Sequence, residues 1–405
     1  MTKDISKQAV ELVEKLEAFH SSQHDEIDGL DRSLRWRLSE IARKVTLKTE
    51  SQGDTMNRIN YSVMQQPLAK LGLDTNIFEV LAESEHGEES NAYLAEKTKV
   101  HPALMKRLLR YYQSVGMIDQ PADDAYRANN ITKALISPMG RSTIPFFLTA
   151  HVPCFLALPE YYRERGYDNP TDSKEAAWYK GHKTTDPLFA WIGKRPEVLD
   201  QFLAFMSSQR DGLPTFFDVV DFEDEFVKGF DAAAPVFVDV GGAMGHQAIL
   251  VRQKYPALAG RVVLEDTPQV LEQARSTPLP GFDDGIKTNG IDFFKPGNHV
   301  KGARAYYLRN VLHDWTDVEC IQILKNIKDA MGSASRILID EMVLPECGSR
   351  WRSAQQDWAM NMCFCTVERT RAEWEALLAK VGLKILKVWQ YTDENHDCVI
   401  MTVPV

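Results

Sequence analysis

From residue 235 onward, short apolar runs alternate with segments of helical pattern. The runs lie at residues 236–240, 261–266, 305–309 and 336–341. Each ends in or beside a charged residue and is followed by a loop. Short continuous apolar runs are typical of strands buried on both faces, and the helical segments between them supply crossover connections. The sequence therefore predicts a doubly wound α/β domain at residues 231–405, with its ligand at the carboxyl ends of the strands.

The preceding residues have helical patterns. In residues 1–140, a helix, a turn at Val100-His-Pro and a second helix precede a short extended piece, which is the order of a winged helix. An apolar stripe near the amino terminus needs a partner, either within this domain or on a second subunit. Its members are Ile5, Val10, Val13, Leu16 and Phe19.

Residues 141–230 are rich in aromatic and methionine side chains. This pattern is typical of a helical core, and the alternative is the wall of an apolar substrate pocket. His151 and Arg210 favour the pocket because burying isolated polar groups is costly. Met206 is a further candidate for contact with substrate.

Composition excludes several functions. The formal net charge is −10, which disfavours nucleic acid and anionic membranes as partners. The amino terminus has no apolar signal core, and no apolar stretch is expected to reach the length of a membrane span. The six cysteines lack the spacing of a disulfide framework, and no His/Cys cluster has metal-ligand spacing. We therefore expect a cytoplasmic protein without a metal.

A glycine cluster follows the first strand of the predicted sheet. Asp239 precedes Gly241, Gly242 and Gly245, and a helical segment comes next. Glycines let the backbone turn tightly and approach a ligand. Glu265 and Asp266 lie at the end of the second strand, where a carboxylate can accept the hydroxyls of a ribose. The glycine cluster contains no basic residue that could bind a phosphate. The pattern therefore favours a nucleoside ligand without a pyrophosphate.

Four ordered motifs carry a family resemblance. They are VDVGGAMG from residue 238, LRNVLHDW from 308, IDEMVLP from 339 and ERTRAEW from 368. Together they resemble the S-adenosylmethionine-dependent O-methyltransferases of the plant caffeic-acid type and the fungal sterigmatocystin type. The resemblance implies a Rossmann-like class I methyltransferase sheet after a helical winged-helix dimerisation domain, and a homodimer that uses S-adenosyl-L-methionine.

The resemblance also implies a cofactor site. Its residues would be Asp239, Gly241, Gly242 and Gly245 at the glycine loop, Asp266 at the ribose, Asp292 and Phe293 at the adenine, and Arg309 lining the same pocket. Ala243 and Met244 depart from the family pattern, which has a glycine and a smaller residue there.

The resemblance places His313 as the general base, and an imidazole suits the removal of a proton from a phenol. Glu341 and Glu368 match the carboxylates that orient it. Thr316 and Glu319 form a predicted capping box that fixes the loop. The implied contacts with substrate are Met360, which would pack on a planar acceptor, and Asn310.

The sequence thus predicts methyl transfer to a hydroxyl of a small aromatic or polyketide-type fungal secondary metabolite. The alternative is a pericyclase or cyclase of the same family, which binds the cofactor but uses its charge to polarise the carbonyl of a polyketide-derived pyridone. Arg309, His151 and the segment around Arg210 resemble that branch.

Overall fold

The computed structural model describes residues 2–21, 29–209, 212–231 and 233–405 of the chain. Arg210, a predicted substrate contact, lies outside the described residues. By packing, the chain separates into two compact units, one of residues 1–148 with 200–209 and one of residues 149–199 with 210–405. The finer division into regions 1–140, 141–230 and 231–405 stays a prediction.

The first unit is mainly helical. Its helices are Thr2–His20, Arg32–Thr49, Gln52–Tyr61, Gln65–Asp74, Ile77–Ala82, Asn91–Thr98, Pro102–Ser114 and Asn130–Ile136. Two further helices, Pro138–Ala150 and Pro196–Ser208, have residues in both units. Strands β1 (Asp119–Ala122) and β2 (Ala125–Arg127) form an antiparallel hairpin. The hairpin follows the helices Asn91–Thr98 and Pro102–Ser114, and the winged-helix assignment of this region stays a prediction. The core packs around Phe78, Leu109 and Tyr112.

The apolar stripe on Thr2–His20 is exposed. Ile5 is 66% exposed to solvent, and Val10, Val13, Leu16 and Phe19 are also exposed. Within the described part of the chain, the stripe is therefore not covered by intradomain packing.

The second unit contains a seven-stranded sheet. Its strands are β3 (Phe237–Val240), β4 (Val262–Asp266), β5 (Ile286–Gly290), β6 (Ala305–Arg309), β7 (Arg336–Met342), β8 (Leu383–Gln390) and β9 (Asp397–Pro404). Their order is β5-β4-β3-β6-β7-β9-β8, and only β9 runs antiparallel to its neighbours. The strand order reverses at β3, which opens a crevice at the carboxyl ends of β3 and β6. The doubly wound α/β prediction is confirmed.

The second unit also contains helices, some of which come before the sheet in the sequence and some of which cover its two faces. They are Val152–Glu164, Ala177–His182, Leu188–Gly193, His246–Lys254, Pro268–Ser276, Asp317–Ala330, Trp351–Phe364 and Arg371–Ala379. One face is buried by a core that includes Ile323 and Leu377, and the other by a core that includes Phe216 and Val251. The predicted capping box is present at the start of Asp317–Ala330.

The prediction that no apolar stretch reaches the length of a membrane span is wrong. The helical segment Pro138–Glu164 has 27 residues and a mean hydropathy of 1.4 over its most apolar window. Because aromatic and aliphatic side chains also fill protein cores, its length and composition match a buried core helix equally well. Phe146 and Cys154 on this segment are buried. That the protein has no membrane partner stays a prediction.

Glu265, inside the sheet, provides a test of the fold. Its carboxylate is fully buried and accepts from Val300 N and Asn289 Nδ2, and it pairs with His299 Nδ1 at 2.7 Å. Glu265→Ala removes the acceptor of Val300 N and the partner of the buried His299, so we expect a loss of about 3 kcal/mol in the free energy of unfolding, measured with urea. Glu272→Ala, which removes an exposed carboxylate, should cost less than about 0.5 kcal/mol. Equal losses would contradict the assignment.

Candidate active site

The glycine loop turns sharply at the end of β3. Gly241 and Gly245 have φ of 69° and 83°, in the left-handed region that glycine adopts most readily. Gly241 N donates to the Glu265 carbonyl at 2.7 Å. A Cβ on Gly242 would lie 2.5 Å from both Asp239 Cγ and Leu264 Cδ1. The loop is therefore packed so closely that only glycine fits at residue 242.

Asp239 lies beneath this loop. Its side chain is buried, and Oδ2 accepts from Ala248 N at 3.1 Å in the following helix. Burial raises the pKa of Asp239 to about 7. Ala243, where the family has glycine, takes φ of 50°. The departure noted in the sequence thus keeps the backbone conformation of a glycine at some cost in strain.

Asp266 joins the glycine loop to the end of β4. Its Oδ2 accepts from Ala243 N at 2.9 Å and its Oδ1 accepts from Thr267 N at 2.7 Å. Burial raises its pKa. Its neighbour Glu265 points the other way, into the buried cluster described above. Of the two carboxylates at this strand end, Asp266 is therefore the one beside the loop.

Phe293 lies on the other side of the glycine loop. The nearest atom of its ring is 3.8 Å from the position of a Cβ on Gly241, and its ring meets Trp315 edge to face. Asn326 Nδ2 donates to the Phe293 carbonyl at 2.8 Å, and Asp292 Oδ1 accepts from Phe294 N. The structure thus brings Phe293 of the predicted adenine-flanking pair to the glycine loop, whereas Asp292 hydrogen-bonds within its own segment.

His313 lies in a short turn, Leu312–Asp314, just beyond β6. It is buried, and its Nδ1 is 2.8 Å from Glu368 Oε1 and 3.7 Å from Glu341 Oε2. Its Nε2 is 3.6 Å from Asp314 Oδ1. The three predicted catalytic side chains therefore lie together, although they come from three separate parts of the chain.

Glu341 fixes the backbone of that turn. Its Oε1 accepts from Val311 N and Leu312 N, each at 2.9 Å. Val311 in turn touches the glycine loop, since its Cγ2 is 3.1 Å from the position of a Cβ on Gly241. One buried carboxylate thus connects the turn that bears His313 with the predicted cofactor loop.

The charges around His313 are strongly coupled. Burial opposes a positive imidazole, but the carboxylates of Glu341, Glu368 and Asp314 outweigh it and raise the pKa of His313 to about 10. Burial raises the pKa of Glu341, and it raises the pKa of Asp314 to about 6. The carboxylates around His313 therefore favour the positively charged form of its imidazole.

Arg309, at the end of β6, belongs to a second buried network. Its Nε is 3.7 Å from Asp340 Oδ2. Tyr391 OH donates to Asp340 Oδ1 at 2.6 Å, and Tyr307 OH donates to Asp340 Oδ2. Burial opposes the charge of Arg309, but its electrostatic interactions with Tyr307 and Asp340 outweigh burial and raise the pKa of the guanidinium. Asn310 follows with φ of 50°, and its N donates to the Asp340 carbonyl.

The predicted substrate contacts are spread over several elements. Met360 is buried on Trp351–Phe364, a helix that contacts both Val152–Glu164 and the Leu312–Asp314 turn. His151 is buried just before Val152–Glu164, where burial and then His182 lower its pKa to about 4. It is therefore neutral. Met206 is partly exposed on Pro196–Ser208 of the first unit.

Sequence reasoning missed Asp314, Asp340 and Tyr391. Asp314 is part of the quoted HDW motif and directly follows the predicted base, so its position was a usable signal. Tyr391 reaches Asp340 from beyond β8, and no local pattern indicates this pairing.

The folded chain brings together three side chains that could hold a metal ion, whereas the expectation of a protein without a metal stays a prediction. His313, Glu341 and Glu368 each offer a ligand atom, and these atoms lie within 4.8 Å of one another. The residues are far apart in sequence, which is why no ligand spacing is visible there.

Comparison with known proteins identifies the family. A model of the O-methyltransferase domain matches residues 172–384. The methyltransferase CfoC of Aspergillus candidus is 36% identical and covers 93% of each chain. The chain belongs to the O-methyltransferase family. The demethylsterigmatocystin 6-O-methyltransferase of Aspergillus parasiticus is 32% identical over 89% of this chain and 91% of its own, so the predicted resemblance is confirmed.

The family includes a second activity. The O-methyltransferase LepI of Aspergillus flavus is 35% identical over 89% of this chain and 92% of its own. The structure of LepI in complex with S-adenosylmethionine superposes with a TM-score of 0.88 at 32% identity, covering 97% of this chain and all of that one. A structure described as a pericyclic reaction enzyme superposes equally well. The family is S-adenosylmethionine-dependent and belongs to fungal secondary metabolism.

Asp239 gives a prediction about pH. Its folded pKa of about 7 lies above the unfolded value of about 3.9. Its contribution to stability is therefore present below pH 4 and is lost as the pH rises through 7. The wild type loses this contribution between pH 4 and pH 8, whereas the Asp239→Asn variant, whose side chain does not titrate, does not. The free energy of unfolding of the variant minus that of the wild type should therefore rise by about 2–4 kcal/mol over this range. Urea unfolding of both proteins at pH 4 and at pH 8 tests this prediction. A difference in free energy of unfolding that is the same at the two pH values would contradict it.

Proposed function

We propose that this protein transfers the methyl group of S-adenosylmethionine to a hydroxyl of a small aromatic or polyketide-type metabolite. The observation that carries the proposal is the buried His313, held at Nδ1 by Glu368 2.8 Å away and placed on a turn that touches the glycine loop. A buried imidazole with one nitrogen fixed can present the other to a substrate hydroxyl.

The glycine loop fits this cofactor. The glycines leave the backbone of the loop without side chains, Asp239 offers a negative charge for a cationic group, and Asp266 offers a carboxylate for ribose hydroxyls. Phe293 provides an aromatic face beside the loop. When bound, S-adenosylmethionine supplies an electrophilic methyl group on a positive sulfur.

The task of His313 is to accept the proton of the acceptor hydroxyl at Nε2. It must be neutral to do so, whereas its carboxylate neighbours favour the charged form. A positive charge near an imidazole lowers its pKa. A cationic cofactor would therefore prepare His313 as a base, while Glu368 and Glu341 stabilise the imidazolium formed during reaction.

His313→Ala should lower turnover by about 10²–10⁴-fold, because the proton acceptor is lost. Formation of S-adenosylhomocysteine with candidate phenols measures this, and calorimetry should show that S-adenosylmethionine still binds. His86→Ala, which changes an exposed histidine, is the control. Turnover near the wild-type rate in His313→Ala would show that another group is the base.

A second candidate is a pericyclic or dehydrating cyclisation that leaves the cofactor intact. It is favoured by the similarity to LepI and by the buried guanidinium of Arg309 at the end of β6. In this reaction Arg309 and a bound sulfonium would polarise a substrate carbonyl.

The two candidates differ in what happens to the cofactor. Cyclisation predicts that substrate isomerises or loses water while S-adenosylmethionine is not consumed, and that neutral S-adenosylhomocysteine supports the reaction at least tenfold more slowly because the sulfonium charge is absent. Mass spectrometry of substrate and cofactor measures both. Equal rates with the two cofactors would exclude an electrostatic role for the sulfonium.

We also propose that the protein is a cytoplasmic homodimer. The exposed apolar stripe on Thr2–His20 supports dimerisation, since a second copy would remove it from water. All six cysteines are free thiols, which agrees with a reducing compartment.

A further inference from the structure

His313, Glu341 and Glu368 resemble a ligand set for a small cation. The distances from His313 Nδ1 to the carboxylate oxygens are 2.8 Å and 3.7 Å, and all three ligand atoms lie within 4.8 Å of one another. A tetrahedral zinc ion with bonds of about 2.0–2.1 Å holds its ligand atoms about 3.4 Å apart. Small side-chain adjustments would therefore give three ligands around one ion.

An unsatisfied oxygen at the same place points to a ligand. Glu341 Oε2 is buried and has no hydrogen-bond partner, and only 1% of its side chain is exposed. Its other oxygen is occupied by Val311 N and Leu312 N. A buried carboxylate oxygen without a donor is costly. The backbone therefore fixes Glu341 with its free oxygen directed at His313.

The charge balance favours a divalent ion. Two buried carboxylates lie beside one imidazole, and a dication bound to the neutral ring would neutralise both of them. One nitrogen and two carboxylate oxygens suit zinc and similar transition metals, while magnesium prefers oxygen and water ligands. The hydrogen bonds to Glu341 Oε1 would orient the ligand, as outer-shell contacts do in metal sites.

We infer that His313, Glu341 and Glu368 form an inhibitory site for a zinc-class divalent cation. The ion would replace the proton at His313 Nδ1, and the neutral imidazole would keep its one remaining proton at Nε2, so that this nitrogen could not accept the proton of a substrate hydroxyl. The inhibition rests on the proposed methyl transfer, but binding of the metal does not.

Calorimetric titration of the full chain with Zn²⁺ tests the site. The background carries Cys347→Ala, because the exposed thiol of Cys347 is itself a zinc ligand. We expect one ion per chain and at least a 100-fold weaker affinity in Glu341→Gln, which keeps an acceptor for the backbone but replaces the free oxygen. Glu346→Gln, at an exposed carboxylate, should bind as the background does. Equal affinities in the two variants would overturn the site.

A second measurement needs no variant in the cluster. Titration with Zn²⁺, followed by nitrogen NMR of the imidazole groups, should shift the His313 Nδ1 resonance at one equivalent, and Mg²⁺ should not. An unchanged His313 resonance would also overturn the site. With an active substrate, one equivalent of Zn²⁺ should abolish at least 90% of turnover, and a chelator should restore it. Zinc binding without loss of turnover would overturn the inhibition while leaving the site intact.

Discussion

The buried carboxylates at the carboxyl edge of the sheet are the constraint on which this site depends. Asp239, Glu341 and Glu368 are all removed from water, where an ionised group is costly unless it is hydrogen-bonded or paired. Backbone N–H groups of the adjoining loops supply much of this pairing. The loop conformations and the placement of the acids therefore stabilise each other, and His313 is the cation among them.

Consecutive acids at a strand end have separate tasks because side chains alternate across a strand. Glu265 is held in a buried cluster, whereas its neighbour Asp266 closes the glycine loop. Likewise, Asp340 binds two tyrosines and Glu341 faces His313. In each pair, one acid (Glu265 or Asp340) stabilises the domain, and the other (Asp266 or Glu341) lies at the carboxyl edge of the sheet beside the candidate site.

The sheet, its glycine loop and the grouping of His313, Glu341 and Glu368 could be predicted because they depend on local patterns and on a family resemblance. The side-chain network of Tyr391 and Asp340 could not, since it depends on how a late segment packs on the sheet. The length of the apolar segment Pro138–Glu164 could have been predicted, because its mean hydropathy is a property of the sequence alone. The cation-binding geometry is visible only after residues distant in sequence are brought together.

The position of β9 has a consequence for the order in which the domain is built. This strand is the last in sequence, yet it lies between β7 and β8 and pairs with both. Until residues 397–404 have left the ribosome, β7 and Glu341 at its end have an open edge. A nascent chain can therefore form the glycine loop early, but β7, the strand that bears Glu341, gains its second neighbour only when synthesis reaches β9.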